Sequence, residues 1–86
     1  MDAFNILKHP LSTEKSIRMM ESDNKLVFVV ERKASKVELK KAFEDMFKIK
    51  PIKVYTIITS KGTKKAIFKL PQDKPAIDVA TQLGII

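Results

Sequence analysis

Lys61, Lys64, Lys65 and Lys69 gather around one glycine, Gly62, in a segment with no acidic residue between Asp45 and Asp73. Ammonium groups at that density suit phosphate neutralisation better than bond-making. The turn Ser60-Lys61-Gly62-Thr63 adds backbone N–H donors, and Thr59, Ser60 and Thr63 add hydroxyls of the kind found at phosphate and ribose contacts. Tyr55, the only tyrosine, can stack on a base or reach a ribose, and can equally be a half-buried sheet residue. Basic residues dominate over aromatics. That balance points to backbone and shape recognition of folded RNA rather than base stacking on a single strand.

Enzymatic chemistry is poorly served. His9 is the only histidine, and no serine, cysteine or carboxylate is spaced to work with it. Beside Pro10 it reads as a surface or RNA-contacting group. Glu44 and Asp45 are neighbours on a helix and do not face each other, so they make no convergent metal site. Gly62 and Gly84 are the only glycines, which excludes a glycine-rich phosphate loop. Cysteine is absent, so there is no disulfide and no thiolate zinc site. The expectation is a protein that is not an enzyme, with no cofactor, no metal and no small-molecule substrate.

The charge is polarised. The whole chain of 86 residues carries +7. Residues 32–69 hold twelve basic side chains against Glu38, Glu44 and Asp45, a net of +9, while the remainder is −2. A uniform solubility coat would not leave the ends acidic. The longest apolar run, Leu26 to Val30, is far short of the ~20 residues a membrane span needs. The N-terminus shows no secretory pattern, so a soluble intracellular protein is expected.

These groups need a rigid carrier. Residues 52–59 are rich in β-branched side chains, residues 66–70 alternate, and the glycine-bearing turn lies between them: a β-hairpin. Residues 25–31 form a strand with Leu26, Phe28 and Val30 on one side and Val27 and Val29 on the other, which places it centrally. Residues 6–9, closed by Pro10, make a short edge strand. Ser12 or Thr13 caps a helix over residues 13–21, with Glu14 in its first turn, Ile17 and Met20 on one face, and Ser22-Asp23-Asn24 as its ending turn. Ser35 and Glu38 form a capping box for a helix running to Phe47. Its stripe is Leu39, Ala42, Phe43, Met46 and Phe47, with Lys36, Lys40 and Lys41 away from it and Val37 off the stripe. Pro75 fits the first position of a last helix, Asp73 lies near its cap, Ala76, Val79, Ala80 and Leu83 face inward, and Gly84 ends it. Residues 1–5 read as a loose lead-in, and Ile85 and Ile86 as packing back on the body.

The order β-α-β-α-β-β-α predicts an α+β fold: one domain over residues 1–86, a four-stranded, mostly antiparallel sheet with helices packed on it. The hairpin's even positions, Ile52, Val54, Ile58, Ala66, Phe68 and Leu70, suit the face under the longer helices. Ile57 and Ile67, with Val27 and Val29, suit the C-terminal helix on the second face.

Several short motifs occur in order over nearly the whole chain. They are Lys8-His9-Pro10, Thr13-Glu14-Lys15, Ala34-Ser35-Lys36 opening a helix that ends Met46-Phe47, Val54-Tyr55-Thr56, and Lys64-Lys65-Ala66. Together they resemble the ribosomal proteins of the L twenty-three family. The resemblance implies a four-stranded antiparallel sheet with helices, binding to large-subunit rRNA at the rim of the peptide exit tunnel, and neighbouring large-subunit ribosomal proteins as partners. It also implies a docking site for the signal recognition particle and a cytoplasmic, ribosomal location. Glu14 matches the exposed acidic residue that the family offers to exit-site factors. Lys8, His9, Lys15, Lys36, Tyr55, Thr56, Lys61, Gly62, Lys64 and Lys65 fall in segments that resemble the RNA-facing ones, and Lys40 and Thr59 complete the expected RNA-binding set. The chain departs from the family in having Tyr55 where asparagine is usual, Phe68 where a branched aliphatic residue is usual, and Pro71 where a polar residue is usual. It also lacks the long basic extension of bacterial members between the last two strands, and so looks like the archaeal form.

A second class of function stays open beside this one. A small regulatory or protein-interaction domain could pair through its sheet edge with a partner strand; that reading predicts an exposed apolar edge and binding indifferent to salt. A hydrolase on a similar sheet would need an arginine beside a catalytic amide, and neither Arg18 nor Arg32 sits in such a context.

Overall fold

The computed structural model describes residues 6–84. The elements are β1 (Leu7–Pro10), α1 (Glu14–Asp23), β2 (Lys25–Val30), α2 (Lys36–Phe47), β3 (Lys53–Ile58), β4 (Lys64–Lys69) and α3 (Ala76–Gln82). The strands form one antiparallel sheet in the spatial order β1-β2-β4-β3. This is the expected α+β fold, with β2 inside the sheet and β1 and β3 at its edges. The readings of residues 1–5 as a lead-in and of Ile85 and Ile86 as packing residues lie outside the described residues.

The core forms where α2 crosses the sheet. Ser35 caps α2 through its side chain, which accepts the Glu38 N–H at 3.2 Å, while Glu38 accepts the Ser35 N–H at 3.1 Å. Capping in this reciprocal form fixes where the helix starts, and so which stripe it turns to the sheet. Leu39, Ala42 and Phe43 are buried along that stripe, and Val37 stays out in solvent. Phe43 stacks on Phe68 of β4 at 4.5 Å between ring centroids and meets Phe28 of β2 edge-on at 6.1 Å. These three rings, all nearly or fully buried, bind helix to sheet. Each contributes roughly 1.5–3 kcal/mol by burial, and each aromatic pair about 0.5–1.5 kcal/mol beyond it.

α1 is capped by Thr13, whose hydroxyl accepts the Ser16 N–H at 3.2 Å. Ser16, one of the buried residues, returns the bond from the Thr13 N–H at 2.8 Å and also donates to the Leu11 carbonyl. The helix runs two residues beyond the expected 21 and ends at Asn24, which adopts the left-handed conformation at φ 55°.

Three details differ from the sequence expectation. First, Pro75 is the residue before α3 rather than its first helical residue, and Asp73 does not cap it. The side-chain oxygen of Asn24 takes that role, accepting the Ala76 N–H. Second, α3 packs on α1 and β2, and its Ala76, Val79 and Ala80 join the core with Phe28 and Phe68 instead of covering Ile57 and Ile67 on the second face. The chain leaving β4 is tied to the start of β2 by a Leu70 N–H to Asn24 carbonyl bond of 3.0 Å, which directs residues 71–75 toward α1. Third, Ile52 and Ile58 are 53% and 56% exposed: Ile52 lies just before β3 and Ile58 is its last residue, and β3 is an edge strand.

Candidate nucleic-acid interface

The hairpin turn is rigid. The Thr59 N–H donates to the Thr63 carbonyl, the Gly62 N–H to the Thr59 carbonyl, and the Thr63 N–H to the Thr59 hydroxyl. Gly62 holds φ +84°, which a side chain would oppose. The turn's N–H groups are therefore not all free to meet a phosphate, as the sequence alone suggested. Those of Gly62 and Thr63 are spent on the turn itself. Lys61 projects from it into solvent.

The turn lies against the loop that joins β2 to α2. The Lys64 ammonium donates to the Ala34 carbonyl at 2.6 Å and approaches that of Arg32 at 3.5 Å. The Arg32 guanidinium lies beside Gly62, 3.4 Å from where a Cβ would stand. Arg32, the exposed Lys33, and Lys36 at the start of α2 thus join Lys61 and Lys64 at one end of the molecule. Sequence reasoning did not include Arg32. No local signal marks it, because it reaches the turn only through the pairing of β2 with β4.

Lys15, Thr59 and Lys65 come together elsewhere, at the rim of an open groove of about 320 Å³ floored by Val27, Ile57 and Ile67. Tyr55 lies on the same sheet face, opposite Ile67. Thr56, adjacent in sequence, is opposite Ala66 on the face that carries α2, so Tyr55 and Thr56 cannot present to one partner from one side. Lys40, half-buried, belongs to α2. Lys8 and His9 are exposed on β1 at the far edge, where Lys8 lies 3.7 Å from Glu31 and the His9 Nδ1 is 3.4 Å from the Pro10 carbonyl. The expected set therefore spreads over the turn end, the α1 groove, the α2 side and the β1 edge.

The cations are largely unpaired. Among the described residues only Lys8 and Arg18 have carboxylate partners, Glu31 and Glu14 respectively. Glu14 itself is 82% exposed in the first turn of α1, with Arg18 at 2.6 Å. Among the described residues no three of histidine, cysteine, aspartate and glutamate converge as metal ligands, and no helix is long and apolar enough to cross a membrane.

The fold and site define a small antiparallel α+β domain with a basic surface, most of whose cations lack a carboxylate partner among the described residues. The family model described as Ribosomal protein L23 matches residues 5–77, and the chain belongs to that family. Membership places it among ribosomal proteins rather than enzymes. The chain is similar to the large ribosomal subunit protein uL23 of Methanococcus vannielii, 46% identical with 99% of each chain covered. It is 42% identical to that of Methanococcus aeolicus, again over 99% of each. The protein of the same description from Trypanosoma brucei brucei is 39% identical over 99% of this chain, which spans 52% of that longer relative.

Proposed function

We propose that this protein is a structural component of the large ribosomal subunit in the cytoplasm. Its lysines hold large-subunit rRNA near the peptide exit tunnel beside neighbouring large-subunit proteins, and the first turn of α1 around Glu14 helps dock the signal recognition particle. One observation carries the reading: the basic side chains of the central segment, Lys61 and Lys65 among them, have no internal carboxylate partners among the described residues. Lysines left in that state neutralise phosphates and release counterions on binding. The family and the relatives' names supply the ribosomal context.

Binding to a large-subunit rRNA transcript tests it. If about six to ten phosphates are neutralised, affinity falls by roughly 10³–10⁵ between about 50 and about 200 mM salt. A flat salt response would sink the reading.

A further inference from the structure

Building on the RNA-binding reading above, we propose that the open half of the sheet grips RNA phosphates through one row of three lysines drawn from three strands. The register places Lys25 of β2 opposite Lys69 of β4, and Lys69 opposite Lys53 of β3. Adjacent partners in antiparallel strands have Cα atoms about 4.5–5.5 Å apart. Like charges directly opposite one another destabilise a sheet. Here three stand in line, and none forms a salt bridge among the described residues. Glu21 and Asp23 share a surface concavity with Lys25 and Lys69 without pairing to either. A row that opposes folding and lacks an internal counterion is a place for an external anion.

The neighbouring rows give the anion its form. Next to the lysine row, Val27, Ile67 and Tyr55 stand in register, and the Lys25 ammonium lies 5.3 Å from the Tyr55 ring centroid. Tyr55 is 39% exposed, and its hydroxyl has no hydrogen-bond partner among the described residues. One row further, Lys65 lies between Val29 and Ile57. Lys69 and Lys65 share a face of β4 and are separated by ~13 Å at strand rise. An apolar band bearing one tyrosine thus separates two cationic positions. Successive phosphates of one strand suit the cations, with a ribose or base against Tyr55 and Ile67. A chain of carboxylates would match the charge but would leave that band without a partner.

The full chain, a large-subunit rRNA transcript and poly-L-glutamate provide the test. Binding is followed by fluorescence anisotropy across a salt series, with thermal unfolding of each protein alone. For Lys53→Gln and Lys69→Gln, the slope of log affinity against log salt falls by about 1 for each phosphate contact removed. The melting temperature of the unbound variants stays level or rises, because repulsion in the row is relieved. Lys74→Gln, exposed in the turn before α3 and outside the basic central segment, leaves the slope unchanged. A Lys53→Gln/Lys69→Gln double variant that keeps the wild-type slope overturns the lysine row and leaves the RNA reading intact. A flat response in the wild type overturns the RNA reading itself. A lowered melting temperature in the double variant makes the row structural. Poly-L-glutamate binding with the same dependence on Lys53 and Lys69, and as tightly as RNA, assigns the face to an acidic protein instead.

Discussion

The side-chain oxygen of Asn24 accepts the Ala76 N–H at 2.6 Å, joining residues 52 apart in sequence. The two N–H groups of the same side chain are shared among the carbonyls of Leu70, Pro71 and Lys74 at 2.9–3.2 Å. Asn24 also ends α1 in the left-handed conformation, which asparagine tolerates better than most residues. One residue thus closes α1, precedes β2 and starts α3. Asn24→Ala removes all four bonds and forces alanine into the left-handed region. The expected loss is about 2–4 kcal/mol, from an orphaned donor plus backbone strain. Asn24→Gly keeps the backbone and loses only the side chain, so it should lie between wild type and alanine in urea unfolding.

Phe43 touches rings on two strands, so truncating it detaches α2 from the sheet centre. Phe43→Ala should cost about 3–5 kcal/mol. A domain of this size has only about 5–15 kcal/mol in total. The variant should therefore unfold at much lower denaturant and fail to enter the large subunit. Phe43→Leu fills more of the space and should lose clearly less stability by the same measurement.

The strands and α2 were legible because their signals are local. Ser35 and Glu38 announce the start of α2, and the apolar run in residues 25–30 announces a strand inside the sheet. The cap of α1 was half legible: Thr13 was among the candidates, but Ser16 closes the box in place of the usual glutamate. The placement of α3 was hidden, since it depends on a side chain from the other end of the chain. The candidate interface was legible as charge and not as geometry. That Lys25, Lys53 and Lys69 form a row depends on strand register, which residue spacing alone does not supply. The opposition of Tyr55 and Thr56 was available from the two-residue period of a strand. The family resemblance alone puts both in one RNA-facing segment.

Gly62 tests whether the turn's shape matters to the cations around it. A Cβ there would meet only the far end of Arg32, which can move, so the cost of substitution lies in the backbone at φ +84°. Gly62→Ala should lose roughly 1–2 kcal/mol. Gly62→Asn should lose less, since asparagine tolerates positive φ better. If Lys61 and Arg32 grip phosphate from a fixed turn, the alanine variant also binds rRNA more weakly at temperatures where it remains folded. Anisotropy measured well below the unfolding midpoint separates that effect from lost stability.

Glu14 and Thr13 are neighbours with different expected roles. Thr13 carries the cap through its bonds with Ser16, whereas the Glu14 carboxylate pairs among the described residues with the exposed Arg18. Thr13→Ala should therefore cost about 0.5–2 kcal/mol. An exposed i,i+4 ion pair contributes about 0.3–0.5 kcal/mol, so Glu14→Ala should be nearly silent in a melt. Ribosomes carrying Glu14→Ala should assemble normally and retain less signal recognition particle on sedimentation, and Glu14→Lys should retain less still because it reverses the charge. Normal retention by both variants would remove Glu14 from the docking surface. Failed assembly by Glu14→Ala would mean that the first turn of α1 meets the body of the subunit rather than a visiting factor, for its cap does not depend on that carboxylate.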